Sequence, residues 1–281
     1  DTFTIIQDPE GRVNRGFGCH RNVKEQESIR WRKMWWFMIG TSFLPVTLVI
    51  WSCAAFAISF AIAVLMRHVR PLVPFISDTG TKPPESCIFG LMINLSAFLG
   101  LVVMYTRYKL LLTLNERKAT INLKLNLLAL ICGALGCLGM CIVANFQETA
   151  LRNVHDIGAL LAFIMGTVYL VLQSLISIKM MPYHHTALVC YFRSMLAIAS
   201  VIATIPMIVC YALAVHSNPN LDWKKGTKGY TFQVVSAVCE WLVAFNFNFF
   251  FITYIKEFQT FTINVKTVLL QDSHDESYNI L

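Results

Sequence analysis

The chain has 281 residues, of which 56% are hydrophobic and only 14% charged, and its mean hydropathy is +0.57. A soluble globular domain carries about a quarter charged residues, so the missing charge implies a solvent other than water. The formal net charge of +7 does not point to nucleic acid, because the Lys and Arg residues fall in short clusters between apolar runs, where they set topology.

Residues 1–33 are polar and basic, with Arg12, Arg15, Arg21, Lys24, Arg30, Arg32 and Lys33. No apolar core of the kind a signal peptide needs occurs before Met34, and we read 1–33 as a disordered extension. Met34 opens Met34-Trp35-Trp36-Phe37 and is itself a natural start, which leaves open whether 1–33 belongs to the mature chain. A six-helix membrane domain is expected over 34–258, followed by a cytoplasmic tail over 259–281.

A spanning helix needs about 20 mainly apolar residues. Six runs qualify: Phe43 to Met66, Ile88 to Tyr105, Leu125 to Ala144, Ile157 to Ile178, Leu188 to Val215 and Phe232 to Ile255. Lipid offers no partner to a backbone N–H or C=O, so each should be helical, giving an all-α polytopic bundle. Sixteen of the 23 Lys and Arg residues then lie on the side of the termini, which places both termini in the cytoplasm. Starting at Met34 would narrow that majority to nine against seven.

The first non-cytoplasmic loop, 67–87, carries Pro71, Pro74, Pro83 and Pro84 with Gly80 among them, and reads as an ordered irregular cap. Within the second run, Asn94-Leu95-Ser96 matches a glycosylation sequon at a depth no glycosylation enzyme reaches; we read it as packing polarity. In the third run Gly133, Gly136 and Gly139 recur at spacing three, a small-residue face that permits close helix approach. Glu148, His155 and Asp156 fall in the expected third-to-fourth loop, where His155 is either an acid sensor or a satisfied interfacial residue. Pro206 should kink the fifth run. Glu240 lies deep in the sixth run with Asn246 and Asn248 on nearby turns; the readings are an interhelical hydrogen-bond network or a proton, ion or ligand site, and we favour the network.

The nine cysteines form no disulfide framework, since Cys53, Cys132, Cys137, Cys141, Cys210 and Cys239 sit in apolar runs as small packing residues. The His184-His185 pair has no third ligand in view, so no metal or cofactor is called. No G-x-S-x-G, H-E-x-x-H or P-loop occurs, and the chain is read as a non-enzyme.

Pro74-Phe75-Ile76-Ser77-Asp78-Thr79-Gly80-Thr81 with Pro83-Pro84-Glu85-Ser86-Cys87-Ile88-Phe89-Gly90 resembles the damage-regulated autophagy modulator (DRAM) family. Met104-Tyr105-Thr106-Arg107-Tyr108-Lys109, Ile142 to Glu148 and Ala237-Val238-Cys239-Glu240-Trp241 resemble it too, so the likeness spans about Met34 to Thr262. Within the family the likeness is greatest to the founding, autophagy-modulating member. The resemblance implies six spans, a lysosomal or endolysosomal membrane, and promotion of autophagy and linked apoptosis through membrane or autophagy protein partners. It marks Ser77, Asp78, Thr79, Gly80, Pro83, Pro84 and Glu85 as a lumenal-loop motif and implies no catalytic residues. The chain ends in Tyr278-Asn279-Ile280-Leu281, the tyrosine-x-x-bulky pattern that clathrin adaptors capture from an extended tail. Two rival readings remain: a transporter or channel using Glu240 and the interior asparagines, and a membrane scaffold acting through loop 67–87.

Overall fold

The computed structural model describes residues 40–117, 122–181, 186–218 and 226–261. The expected extension 1–33, His184-His185 and the motif Tyr278 to Leu281 lie outside them.

Six helices are long and apolar enough to cross a membrane, matching the six runs. They are α1 (Phe43–Leu65), α2 (Glu85–Arg117), α3 (Leu123–Asn145), α4 (Glu148–Met180), α5 (Ala187–Ser217) and α6 (Tyr230–Ile252); a short α7 (Ile255–Phe258) follows, and a 3₁₀ turn, Ser77–Gly80, lies between α1 and α2. No strand occurs among the described residues. Each helix packs on its neighbours in sequence, and α6 returns to α1, so the six form a closed ring. Contact between α4 and α6 crosses that ring and leaves α5 on its outside.

Two boundaries differ from expectation for one reason. α2 runs on to Arg117 and α4 starts at Glu148, so each has 33 residues and reaches about 50 Å at 1.5 Å per residue, beyond the hydrocarbon of a bilayer. Hydropathy sees only the lipid-deep part of a helix. Glu148, His155 and Asp156 are therefore helical rather than in a loop, and α4 carries its irregularity at Leu151 (φ −137°, ψ 67°). α5 continues unbroken through Pro206.

The glycine run of α3 sets its distance from α4. A Cβ on Gly139 would lie 2.4 Å from the amide nitrogen of Ala162 and 2.6 Å from the carbonyl of Gly158. Both obstacles are backbone, so Gly139→Ala has to push two helices apart and is expected to cost about 1–3 kcal/mol. Gly100→Ala meets only the Cys137 sulfur at 3.6 Å and should be tolerated. Thermal denaturation of the two variants in detergent checks this ordering; a Gly139→Ala protein as stable as wild type would contradict the close α3–α4 packing.

The end of the ring where α1 begins is closed by charge. Arg107 of α2 and Arg193 of α5 are both fully buried, and both reach Glu257 of α7. Arg193 Nη2 lies 2.5 Å from Glu257 Oε1, its Nε donates to Thr253 Oγ1 at 2.8 Å and its Nη1 to Ser177 Oγ at 2.8 Å. The Tyr254 ring sits between the guanidiniums, 5.0 Å from Arg107 and 4.7 Å from Arg193. The backbone N–H of Thr41 donates to the Phe258 carbonyl at 2.9 Å, tying the approach to α1 onto α7.

Candidate functional site

The opposite end is closed by the loop between α1 and α2, which folds down into the ring. Proline at 71 and 74 prevents the segment from continuing as helix. It enters instead as irregular chain, with Val73 at φ 46°, and tightens into the Ser77–Gly80 turn, where Thr79 Oγ1 donates to the Ile76 carbonyl at 2.6 Å. Ile76 is buried with Ala55, Phe89, Met92, Ile93 and Ala244, so the turn is a plug with an apolar tip. Gly80 lies under Phe89, whose ring a Cβ would meet at 2.4 Å.

Helix α6 holds the plug by its backbone. Glu240 Oε2 accepts from the Ile76 N–H at 2.9 Å, Trp241 Nε1 donates to the Pro74 carbonyl at 2.9 Å, and Gln233 Nε2 lies 3.5 Å from the Val73 carbonyl. From α5, the Tyr211 ring packs edge-on against Phe75, centroids 5.7 Å apart. The Tyr211 hydroxyl is 3.0 Å from Glu148 Oε1 and 2.7 Å from Asp156 Oδ1. His155 is buried and donates from Nδ1 to the Phe146 carbonyl at 2.7 Å, if the proton is placed where that acceptor requires it.

Three carboxyl groups from three segments thus meet around the plug: Asp78 of the loop, Glu148 of α4 and Glu240 of α6. Glu148 and Glu240 are buried, and among the described residues no Lys, Arg or His forms an ion pair with Asp78 or Glu240. Burial and the neighbouring Glu148 charge push the Asp78 carboxyl up to about 8, against the pull of the Phe75 N–H bonded to it at 3.2 Å. In the unfolded chain Asp78 titrates near its ordinary value of 3.8. Between about pH 4 and pH 8 the folded state therefore holds a proton that the unfolded state has released, and stability falls as pH rises through that window. Asp78→Asn should flatten this part of the stability–pH curve, measured by thermal unfolding in detergent from pH 4 to pH 9. A curve as steep as wild type would mean Asp78 ionises freely in the fold.

Behind the plug lies a cavity of about 140 Å³, lined by α1, α2, α3, α4 and α6 and roofed by Ile76, Ser77, His155 and Glu240. It extends from Glu240 to Phe251 along α6, about 16 Å at 1.5 Å per residue. Its walls are apolar apart from Ser52, Ser96, Tyr169 and Asn248. A second depression opens outward between the loop and α6, lined by His68, Arg70, Asp78, Lys82, Glu148 and Gln233 among others.

Of the expected site residues, Ser77, Asp78, Thr79 and Gly80 come together with Glu240. Glu240 bonds the plug backbone, not the asparagines; Asn248 instead pairs with Ser52 at 2.5 Å, and Asn246 is half-buried and outside the cluster. Pro83 and Pro84 are exposed and lead into α2, whose first residue, Glu85, is buried against His68. Asn94 exchanges hydrogen bonds with Asn145 at 3.2 and 3.0 Å across α2 and α3, a packing contact away from the plug. Glu148 and His155, expected in a loop, join the site from α4, and Tyr211 of α5 completes it unforeseen. Their signal was a carboxylate, a histidine and a tyrosine each bordering an apolar run. No group of His, Cys, Asp and Glu with metal-holding geometry occurs among the described residues.

A family model described as the Frag1/DRAM/Sfk1/Cwh43P N-terminal domain matches residues 40–261. The human protein named DNA damage-regulated autophagy modulator protein 1 is 50% identical over 236 residues, covering 84% of this chain and 98% of that protein. The rat DNA damage-regulated autophagy modulator protein 2 is 43% identical over 242 residues, covering 84% and 90%. The human protein named Modulator of macroautophagy TMEM150B is 36% identical over 214 residues, covering 75% and 81%. No solved structure matches.

Proposed function

This chain belongs to the Frag1/DRAM/Sfk1/Cwh43P family, and from that membership we infer that it is a multi-pass membrane protein that modulates autophagy. The observation that carries the reading is the 50% identity to a named autophagy modulator along nearly the whole of that relative. Its relatives are named as modulators rather than as enzymes, and we take this chain to act without catalysis, through membrane or autophagy protein partners and with a link to apoptosis. The test is autophagic flux in cells lacking the chain and then regaining it. Flux should fall on removal and recover on return; unchanged flux in both arms would refute the role.

The proposed location is the lysosomal or endolysosomal membrane, with both termini in the cytosol and the plug facing the lumen. Sixteen of 23 basic residues on the terminal side support that orientation. The tail motif Tyr278 to Leu281 supports the location, because adaptor capture needs an aromatic ring and an aliphatic residue three positions on, on a cytosolic segment. Tyr278→Ala removes the ring that adaptor capture needs. Surface abundance should rise and lysosomal abundance fall, with total amount unchanged; an unaltered distribution would place the sorting information elsewhere.

A solute or lipid pathway is the second reading, favoured by the cavity that Glu240 and Asn248 line. Flux of candidate solutes into liposomes bearing the chain, lost in Glu240→Gln, would support it over modulation through partners. The scaffold reading has less surface to work with, since only Arg67, Arg70 to Leu72, Lys82 to Pro84 and Cys87 of loop 67–87 are exposed.

A further inference from the structure

The cavity behind the plug is elongated: its roughly 140 Å³ is drawn out over about 16 Å along α6, a shape that suits an alkyl chain. Most of its polar wall groups are already used. Ser52 Oγ donates to Asn248 Oδ1 at 2.5 Å and Ser96 Oγ to the Met92 carbonyl at 3.0 Å. The Asn248 amide donates to the Ala244 carbonyl at 3.0 Å, and the Tyr169 hydroxyl meets that of Tyr254 at 3.0 Å. Along its length the slot therefore presents a surface with the hydrogen-bonding character of hydrocarbon.

The roof differs. Glu240 is 7% exposed, and Ile76 N–H occupies only Oε2. His155 is 4% exposed and bonds through Nδ1 alone, which leaves Nε2 as an acceptor in the neutral ring. The Ser77 hydroxyl completes a set of three acceptors at the same end of the slot. Among the described residues no Lys, Arg or His forms an ion pair with Glu240.

We propose that the slot binds a single-chain amphiphile with a protonated amine head, the alkyl chain running down α6 and the ammonium held at Glu240, His155 and Ser77. An ammonium has three N–H donors and no acceptor, which matches three acceptors and gives Glu240 a cation to face. A carboxylate head would bring acceptors to a set of acceptors, and a hydroxyl head would bring one donor where three acceptors are lined up. Burial of the chain supplies the affinity, and the head group supplies the choice among lipids of equal length.

The test uses the full chain purified into nanodiscs, with hexadecylamine, hexadecanol and hexadecanoic acid as probes and saturable retention of radiolabelled probe as the readout. Wild type should retain the amine in preference to the alcohol and the acid. Glu240→Gln keeps the shape and the acceptor for Ile76 N–H; it should weaken amine binding by at least about tenfold and leave the alcohol unchanged. Gly100 lines the slot where a Cβ has room, so Gly100→Leu should fill it and abolish saturable retention of both amine and alcohol. Should that variant not fold, Glu240→Gln alone decides. No saturable retention by wild type, equal retention of amine and alcohol, or amine binding indifferent to Glu240→Gln would each overturn the proposal. The measurement has no autophagy readout, so its outcome is separable from that of the family-based reading.

Discussion

Replacing Glu257 by Leu is expected to abolish recovery of folded protein. Glu257 faces both Arg107 and Arg193, and both guanidiniums are fully buried. Removing one partner of a buried ion pair costs about 3–5 kcal/mol, because the charge left behind has neither water nor a counter-ion. Here two cations are stranded by one change, with Tyr254 between them, so their mutual repulsion adds to the loss. The opposite change is milder. Arg193→Met leaves Arg107 and Glu257 as a one-to-one pair, and its cost is confined to the bonds with Ser177 and Thr253 and to lost packing on Phe250 and Tyr254. The order of monodisperse yield should be wild type, Arg193→Met, Glu257→Leu. Full yield of Glu257→Leu would show that the arginines find other partners and that the triad is not what closes this end.

That triad also shows where reading the sequence stopped. The six spans are legible because bilayer thickness forces a long apolar run, a signal that survives any packing arrangement. Arg107 and Arg193 were counted with the topology-setting charges, since each stands near the end of an apolar run. In the structure each is inside the protein. The cue was available: an arginine five residues after Leu188, in an apolar run, needs a carboxylate at equal depth, and Glu257 follows the sixth run at that end. Pairing them requires knowing that α2, α5 and α7 meet, which is ring topology and not periodicity. The plug is the converse case. Its prolines and glycine mark a turn-rich loop, and nothing in local composition says whether such a loop stands out in water or folds inward. What turns it inward is Ile76 and the unsatisfied backbone that Glu240 and Trp241 accept and donate to, all long-range partners. Glu240 itself was legible as an intramembrane carboxyl, and its partner was not.

The second large effect is expected at Glu240. Glu240→Lys places a cation where the sixth helix enters the ring, at a cost of about 2.5–3.5 kcal/mol near a helix centre on insertion scales. The surrounding carboxyls Asp78 and Glu148 offset part of that cost electrostatically, yet the geometry works against the replacement. Lys has no acceptor, so the Ile76 N–H loses its partner inside an apolar cluster, and a buried unpaired donor costs about 1–3 kcal/mol more. With the Ile76 N–H unbonded, the polar ties of the plug to α6 fall to Trp241 and Gln233, beside the packing of Ile76 near Ala244 and of Phe75 on Tyr211. Glu240→Gln retains an acceptor of the same reach and should fold. Protease accessibility of the loop after reconstitution separates these outcomes. Glu240→Gln should stay protected like wild type, while whatever Glu240→Lys protein inserts should be cut within 71–82. A Glu240→Lys loop that resists cleavage would mean that apolar burial of Ile76 and Phe75 holds the plug without the carboxylate.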